Sequence, residues 1–197
     1  MKFSENSIDE PATVLEVPAP EAPEAPEARL AAVSTDHPAG SGNETGAAAA
    51  LHAAGLAHEI TRHGRVSSLA EAAAARGVDP ADIIKTIVVR RGQDDFLFVL
   101  VPGGRTIAWP KLRALLGVTR LSMPDATTAL EVTGYERGTI TPFGATTAWP
   151  VIADATLLGR RVSIGAGAHG VAASVDGGAL VAALQAEVAD VTVPESD

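Results

Sequence analysis

Two apolar runs separated by a short polar segment constrain the fold of this chain more than any other feature. The first run, residues 83–89, consists of β-branched residues apart from Lys85, and the second, residues 96–101, consists of Phe, Leu and Val. Between them, residues 92–95 contain Gly, Gln and two Asp. β-Branched and aromatic runs bounded by turn residues are typical of strands. The two runs therefore predict a β-hairpin, and their apolar character predicts burial on at least one face.

Helices and strands are mixed along the rest of the chain without a regular β-α-β alternation. Helices are predicted at residues 47–54, 69–76, 109–116, 124–131 and 178–186, with a turn at residues 78–82 that leads into a further short helix. Additional strands are predicted at residues 58–63, 139–140, 150–152, 161–164 and 170–174. Ser67 or Ser68 is suited to cap the second helix, and Gly77 to end it. This order favours a single α+β domain with a mixed, mostly antiparallel, barrel-like sheet flanked by helices.

The first 45 residues differ in composition from the remainder. They carry 9 acidic and 2 basic residues, and residues 20–27 repeat Pro, Glu and Ala. Such a segment buries too little apolar surface to offset the entropy of ordering it. We therefore expect residues 1–45 to form a disordered acidic tail and residues 46–197 to form the folded domain.

The tail also dominates the net charge of −9, since the remainder carries 15 acidic against 13 basic residues. Within residues 85–120, seven Lys and Arg face only two Asp, so a basic surface that attracts nucleic acid is compatible with this sequence. The chain has no Cys, which excludes disulfides, thiolate metal sites and a thiol nucleophile. No signal peptide or long apolar span is recognisable, so we expect a cytoplasmic protein without a membrane partner.

Lys85 is the first candidate for a functional residue because it interrupts an otherwise apolar strand. One interpretation places it on the solvent-exposed face of that strand. The other directs its ammonium into a cleft, where it neutralises an oxyanion or a phosphate.

Two Gly-rich segments are the next candidates. Residues 134–144 contain three Gly and one Pro, which suit either an ordinary loop or a backbone that must approach a ligand closely. Residues 165–170 read Gly-Ala-Gly-Ala-His-Gly, and neither their spacing nor their context fits a dinucleotide-binding fingerprint.

Four sequence blocks, in this order, resemble the free-standing editing proteins called YbaK-like, which share a domain with bacterial prolyl-tRNA synthetases. The blocks are the Asp-Pro turn and Lys-Thr pair at residues 79–87, the Gly-x-x-x-Pro motif at residues 138–142, Pro-Val-Ile-Ala-Asp at residues 150–154, and the Gly-rich residues 163–170. They span about residues 47–190. The resemblance implies hydrolysis of the ester in mischarged tRNA, most often a small amino acid on tRNA for proline, without a cofactor, a metal or a covalent intermediate.

The resemblance also assigns roles to individual residues and partners. Lys85 would be the catalytic residue that holds the tRNA 3′ end or the reacting carbonyl. The implied substrate-binding residues are Thr86, Gly138, Thr139, Ile140, Thr141, Pro142, Gly165, Gly167, His169, His63 and Asp154. The expected partners are the 3′ aminoacyl end of mischarged tRNA and prolyl-tRNA synthetase, but not DNA. An inactive tRNA- or synthetase-binding module of the same fold is the alternative.

Some of these residues have a second interpretation. His63 is equally well explained as a polar residue at a strand end, and His169 as a solvent-facing loop residue. A structural role, in which the carboxylate binds backbone N–H groups, is favoured for Asp154. The five His show no metal-ligand spacing, so no metal site is predicted. Relatives often carry a Ser near Gly165 and an acid just beyond the Gly-rich loop, where this chain has Val171 and Ala172, so the identity of the edited amino acid is left open.

Overall fold

The computed structural model describes residues 42–195. It contains five α-helices: α1 Gly42–Ala53, α2 Leu69–Arg76, α3 Trp109–Leu116, α4 Ala126–Thr133 and α5 Gly177–Ala183. Its nine strands are β1 His58–Arg62, β2 Ile83–Gly92, β3 Asp95–Pro102, β4 Arg105–Ile107, β5 Val151–Asp154, β6 Arg161–Gly165, β7 Val171–Asp176, β8 Glu187–Ala189 and β9 Thr192–Pro194. Short 3-10 helices occupy Pro80–Asp82 and Ala155–Leu157.

Seven of the strands form one mixed sheet in the order β1-β7-β6-β2-β3-β5-β8, and β4 and β9 form a second, antiparallel pair. In the large sheet β1-β7, β7-β6 and β2-β3 are antiparallel, whereas β6-β2, β3-β5 and β5-β8 are parallel. The predicted α+β fold with a mixed sheet is therefore confirmed.

The β2-β3 hairpin lies at the centre of the sheet and forms as predicted, with Ile87 opposite Val99. Alternate residues of the hairpin enter two different apolar cores. Ile84 and Val88 belong to the core that also contains Leu51 of α1. Val89 belongs to the other core, which contains Leu112 of α3. Burial on both faces explains why the two runs are apolar apart from Lys85 and Thr86.

Local signals in the sequence fix α2, and the prediction for this helix is confirmed. The Ser68 side chain accepts a hydrogen bond from the Glu71 backbone N–H, which caps the first turn. Gly77 ends the helix in the left-handed conformation at φ 65°, where a side chain would be strained. The helix therefore begins at Leu69 and ends at Arg76, with Arg76 in its last turn.

Several element predictions require correction. Residues 139–140 form no strand, because they lie in a turn in which the Thr139 N–H donates to the Glu136 carbonyl. The short strands β4, β8 and β9 were not predicted. Helix α1 begins at Gly42, ahead of the Ala run, and so includes the last residues of the predicted tail 1–45. The rest of that tail lies outside the described residues. None of the helices between residues 42 and 195 has the length and apolar character required to cross a bilayer.

Candidate active site

A cavity of about 450 Å³ opens beside β2. It is lined by one side of that strand, by the start of α4 and the residues before it, and by the ends of α2 and β6. The loop at residues 134–144, here called the Gly138 loop, completes the lining. The lining residues are Arg76, Ile83, Ile84, Lys85, Thr86, Ile87, Val88, Met123, Pro124, Asp125, Ala126, Ala129, Arg137, Gly138, Ile140 and Gly165.

The cavity coincides with a gap in the large sheet. On one edge, β2 pairs with β6 only at Ile83 and Ile84. The same edge is occupied again at Arg90, which exchanges backbone hydrogen bonds with Ser122 at 2.7 and 3.1 Å. Because backbone groups alternate along a strand, the N–H and C=O groups of Thr86 and Val88 point to this edge as those of Arg90 do. The gap therefore offers main-chain donors and acceptors to a ligand.

Five of the predicted site residues line this cavity together: Lys85, Thr86, Gly138, Ile140 and Gly165. They come from two strands and one loop that are far apart in the sequence. The position that a Cβ on Gly165 would occupy lies 3.6 Å from the Ile140 carbonyl oxygen, so the loop crosses directly over the end of β6. The other predicted residues lie outside the cavity lining.

Lys85 is half-buried, and its ammonium donates to two oxygens. One is the Arg105 carbonyl at 2.6 Å, and the other is a Glu195 carboxylate oxygen at 3.1 Å. An ammonium has three donors, so one remains for a further partner. The pair with Glu195 is partly solvated, and such pairs contribute little to stability. The ion pair with Glu195 is therefore compatible with a functional role of Lys85.

Thr86 presents a different feature, a hydroxyl that is buried without a hydrogen-bond partner among residues 42–195. Buried hydroxyls are generally hydrogen-bonded because leaving one unpaired costs free energy. Because Thr86 lines the cavity, a ligand bound there can form the hydrogen bond that the Thr86 hydroxyl lacks.

The loop at residues 134–144 is held in shape from within. The Tyr135 hydroxyl is buried and donates to the Phe143 carbonyl at 2.6 Å, which joins the two ends of the loop. Gly138 has φ 94°, a conformation that residues with a Cβ rarely adopt. Thr141 is fully buried. Thr139, Thr141 and Pro142 shape the loop but do not line the cavity, whereas Gly138 and Ile140 do.

The second Gly-rich segment packs behind this loop. The Cε1 atom of His169 lies 3.4 Å from the position that a Cβ on Gly138 would occupy, so the imidazole covers the loop. His169 is exposed, and its Nε2 lies 3.7 Å from Glu136. A Cβ on Gly167 would lie 2.5 Å from the Asn43 carbonyl oxygen of α1. Gly167 is therefore required for packing against α1 rather than for contact with the cavity.

His63 is not a lining residue but orients one. Its Nδ1–H donates to the Gly64 carbonyl at 2.8 Å, which leaves Nε2 as the acceptor of the neutral ring. The Nε–H of Arg76 donates to this nitrogen at 3.2 Å. Burial lowers the pKa of the Arg76 guanidinium, which lines the cavity.

Asp154 does not line the cavity, and its surroundings show the structural role that the sequence favoured. Its carboxylate is almost fully buried and accepts hydrogen bonds from Thr156, from the Val191 N–H at 3.3 Å and from the Thr192 hydroxyl at 2.7 Å. Burial alone would raise the pKa of this carboxyl, but the hydrogen bonds outweigh it and hold the pKa below its usual value.

Sequence reasoning missed two cations of the cavity, Arg76 and Arg137. Arg76 was placed only as a residue of the last turn of a helix, and Arg137 as part of a loop. For Arg137, the sequence signal that could have identified it as a lining residue was its position directly before Gly138. Asp125 is the acid of the lining, and it caps α4 by accepting from the Thr128 N–H at 2.8 Å. The charged lining residues are therefore three cations, Arg76, Lys85 and Arg137, and one carboxylate, and most of the other lining side chains are apolar.

Comparison with protein families matches residues 63–183 to the aminoacyl-tRNA editing domain, a range that contains every lining residue of the cavity. The chain belongs to the aminoacyl-tRNA editing domain family. This confirms the resemblance inferred from the four sequence blocks.

Two proline–tRNA ligases are similar in sequence to part of this chain. The ligase of Thermosipho africanus (strain TCF52B) is 41% identical over 63 residues, which cover 32% of this chain and 11% of the ligase. That of Thermosipho melanesiensis (strain DSM 12029) is 34% identical over 86 residues, which cover 44% of this chain and 15% of the ligase. The chain thus spans only a small part of these ligases.

Solved structures match a larger share of this chain than the two ligases do. A proposed trans-editing enzyme for prolyl-tRNA synthetase is 26% identical with a TM-score of 0.71, covering 80% of this chain and 100% of that one. The hypothetical protein APE2540 is 28% identical with a TM-score of 0.66, covering 73% and 96%. The described residues therefore share the fold of these two solved structures.

Proposed function

We propose that this editing domain hydrolyses the ester bond of mischarged tRNA, with a small amino acid on tRNA for proline as the substrate. The observation that carries the proposal is the convergence of Lys85, Thr86, Gly138 and Gly165 on one cavity, at a gap in the sheet that exposes main-chain hydrogen-bonding groups. The relatives among prolyl-tRNA ligases, and the proposed trans-editing enzyme for the prolyl synthetase, support the choice of tRNA.

In this proposal the aminoacyl ester lies along the open edge of β2. Water attacks the carbonyl carbon and releases a proton to solvent, or the side-chain thiol of the substrate does so if the amino acid is cysteine. The bond from that carbon to the ribose oxygen then breaks, and the oxygen takes a proton from solvent and leaves as the 3′ hydroxyl of the tRNA. The remaining donor of the Lys85 ammonium stabilises the oxyanion that develops on the carbonyl oxygen. Main-chain groups of the Gly138 loop bind the aminoacyl group, and prolyl-tRNA synthetase is the proposed source of the mischarged tRNA.

The proposal is tested with purified protein and a panel of tRNAs for proline that carry Ala, Cys, Ser or Thr, by measuring release of the amino acid. Lys85→Ala should lower the rate on the best substrate by on the order of 100-fold, the typical effect of losing one oxyanion-stabilising donor. Lys85→Arg should restore little, because a planar guanidinium does not replace a compact ammonium.

Lys111→Ala is the matched control, since Lys111 also pairs with one carboxylate, that of Asp190, but lies outside the cavity lining. Equal deacylation rates for Lys85→Ala and Lys111→Ala would show that Lys85 does not act in the site. Tight binding of tRNA by the wild-type protein without release of any amino acid from the panel would instead support the alternative of an inactive binding module.

A further inference from the structure

Arg76 is a half-buried cation of the cavity lining that has no acidic partner among the described residues. The salt bridges among residues 42–195 pair Arg91, Arg160 and Arg161 with carboxylates, but they do not include Arg76. Its Nε–H donates a hydrogen bond to Nε2 of the neutral His63 ring. The two terminal nitrogens of its guanidinium have no partner within this part of the chain.

The position of Arg76 in the fold does not explain this arrangement. A cation in the last turn of a helix interacts favourably with the helix dipole, and α2 offers that interaction. An exposed side chain would gain it as well. Removal of a cation from water is costly unless an anion or several hydrogen bonds compensate. The cavity that Arg76 lines also presents Ile83, Ile84 and Ile87, which provide no compensation, and its carboxylate, Asp125, forms no salt bridge with Arg76.

The geometry of the guanidinium determines which ligand would compensate it. With Nε engaged by His63, the terminal nitrogens present parallel N–H groups that match two oxygens of a phosphate or a carboxylate. We propose that Arg76 binds the phosphodiester group that precedes the 3′-terminal nucleoside of the tRNA, and that His63 is a positioning residue for the guanidinium. This inference rests on the proposed function for the identity of the ligand, but its binding chemistry can be tested separately.

The first experiment measures binding of adenosine 5′-monophosphate and of adenosine to the full-length protein by isothermal titration calorimetry. The wild-type protein should bind the monophosphate on the order of 10- to 100-fold more tightly, as expected for hydrogen bonds to a charged group. Arg76→Gln should abolish this preference, and Arg76→Lys should retain part of it. Arg65→Gln, which removes an exposed Arg that does not line the cavity, should leave it unchanged.

Equal affinity of the wild-type protein for adenosine 5′-monophosphate and adenosine, or an unchanged preference in Arg76→Gln, would overturn the proposal. Circular dichroism of each variant establishes that it is folded. The positioning role of His63 predicts that His63→Gln, whose amide oxygen can accept from Nε, retains more of the preference than His63→Phe does. Equal loss in both His63 variants would contradict that role.

The second experiment separates the phosphodiester from the aminoacyl ester as the group that Arg76 contacts. In deacylation of the mischarged tRNA, Arg76→Gln should raise KM by on the order of 10-fold or more with little change in kcat. Hydrolysis of the same amino acid from 3′-aminoacyl adenosine, which has no phosphate, should be unaffected. Equal losses on both substrates would show that Arg76 does not bind the phosphodiester.

The two experiments also distinguish this inference from the proposed function. Failure of the wild-type protein to hydrolyse any ester, together with a monophosphate preference that depends on Arg76, would refute hydrolysis but keep the anion site. Hydrolysis of the tRNA ester with no such preference would keep the proposed function and refute the anion site.

Discussion

Thr86 combines two properties that are rarely found together, a buried hydroxyl without a partner among residues 42–195 and a place in the cavity lining. We expect Thr86→Val to leave the stability unchanged or slightly increased, because it removes an unsatisfied polar group and preserves the shape. If the hydroxyl binds substrate, the deacylation rate should fall by on the order of 10-fold. Thermal unfolding and the deacylation assay measure the two effects.

Ser163 provides the control for this prediction, because its hydroxyl is also buried and unpaired among the described residues but does not line the cavity. Ser163→Ala should preserve the rate. A full rate in Thr86→Val would show that the hydroxyl does not contact the substrate.

Gly138 is required by the backbone of its loop as well as by access for a ligand. At φ 94°, Gly138→Ala introduces backbone strain, whereas His169 at 3.4 Å from the Cβ position would be an ordinary van der Waals contact. Strain of this kind costs on the order of 1–3 kcal/mol, so the loop should shift and the deacylation rate should fall. Gly159→Ala is the control, because Gly159 also has positive φ but meets nothing and lies outside the cavity lining. An equal loss of rate in both variants would argue against a specific role of the loop.

At the scale of elements, the sequence predicted those parts of the fold that rest on local signals. Helix α2 has its cap at Ser68 and its stop at Gly77, and the central hairpin has an apolar pattern that is broken only around Lys85. The three-residue strands β4, β8 and β9 could not be predicted, because pairing with distant partners defines them and their sequences do not. The turn at residues 139–140 was mistaken for a strand because Thr and Ile also favour extended structure.

The same distinction applies to the site. Lys85, Gly138 and Gly165 could be proposed from sequence blocks, and they do line one cavity. Which other loop residues face that cavity depends on the path of the chain, so Thr139 and Pro142 were not distinguished from Ile140. Arg76 could not be recognised, since its contribution depends on the tertiary contact with His63.

Helix α1 supports the site from outside the matched family range. The Asn43 side-chain amide donates to the Gly134 carbonyl at 2.9 Å, at the start of the loop that carries Gly138. Asn43→Ala should cost about 0.5–1.5 kcal/mol, the net contribution of one hydrogen bond, and lower the deacylation rate severalfold. His52→Ala, at an exposed position of the same helix, should change neither quantity. Denaturant unfolding and the deacylation assay measure both. An unchanged rate in Asn43→Ala would mean that α1 does not support the loop.

At the scale of the whole molecule, Asp154 joins the large sheet to the small one by accepting hydrogen bonds from Val191 and Thr192. Because these bonds hold its pKa below the unfolded value of about 3.9, its contribution to stability is complete above that pH. The contribution is lost as the pH falls through the lower pKa of the folded state. Asp154→Asn should therefore destabilise the protein at pH 7 by on the order of 1.5–3 kcal/mol, and by less below about pH 4.

Urea unfolding of both proteins at pH 7 and pH 3 tests this expectation. Asp190→Asn, which removes an exposed carboxylate paired with Lys111, should show little effect at either pH. A constant difference between wild type and Asp154→Asn across this range would show that ionisation of Asp154 does not contribute to folding.

The gap in the large sheet also affects how copies of this protein behave towards one another. An unpaired strand edge on a protein surface invites strands of other molecules to add to the sheet, which leads to aggregation. The open stretch of β2 is instead short and lines the cavity, bounded by the β6 pairing at Ile84 and the bridge from Arg90 to Ser122. The fold can therefore leave main-chain groups available for a ligand without exposing them to self-association.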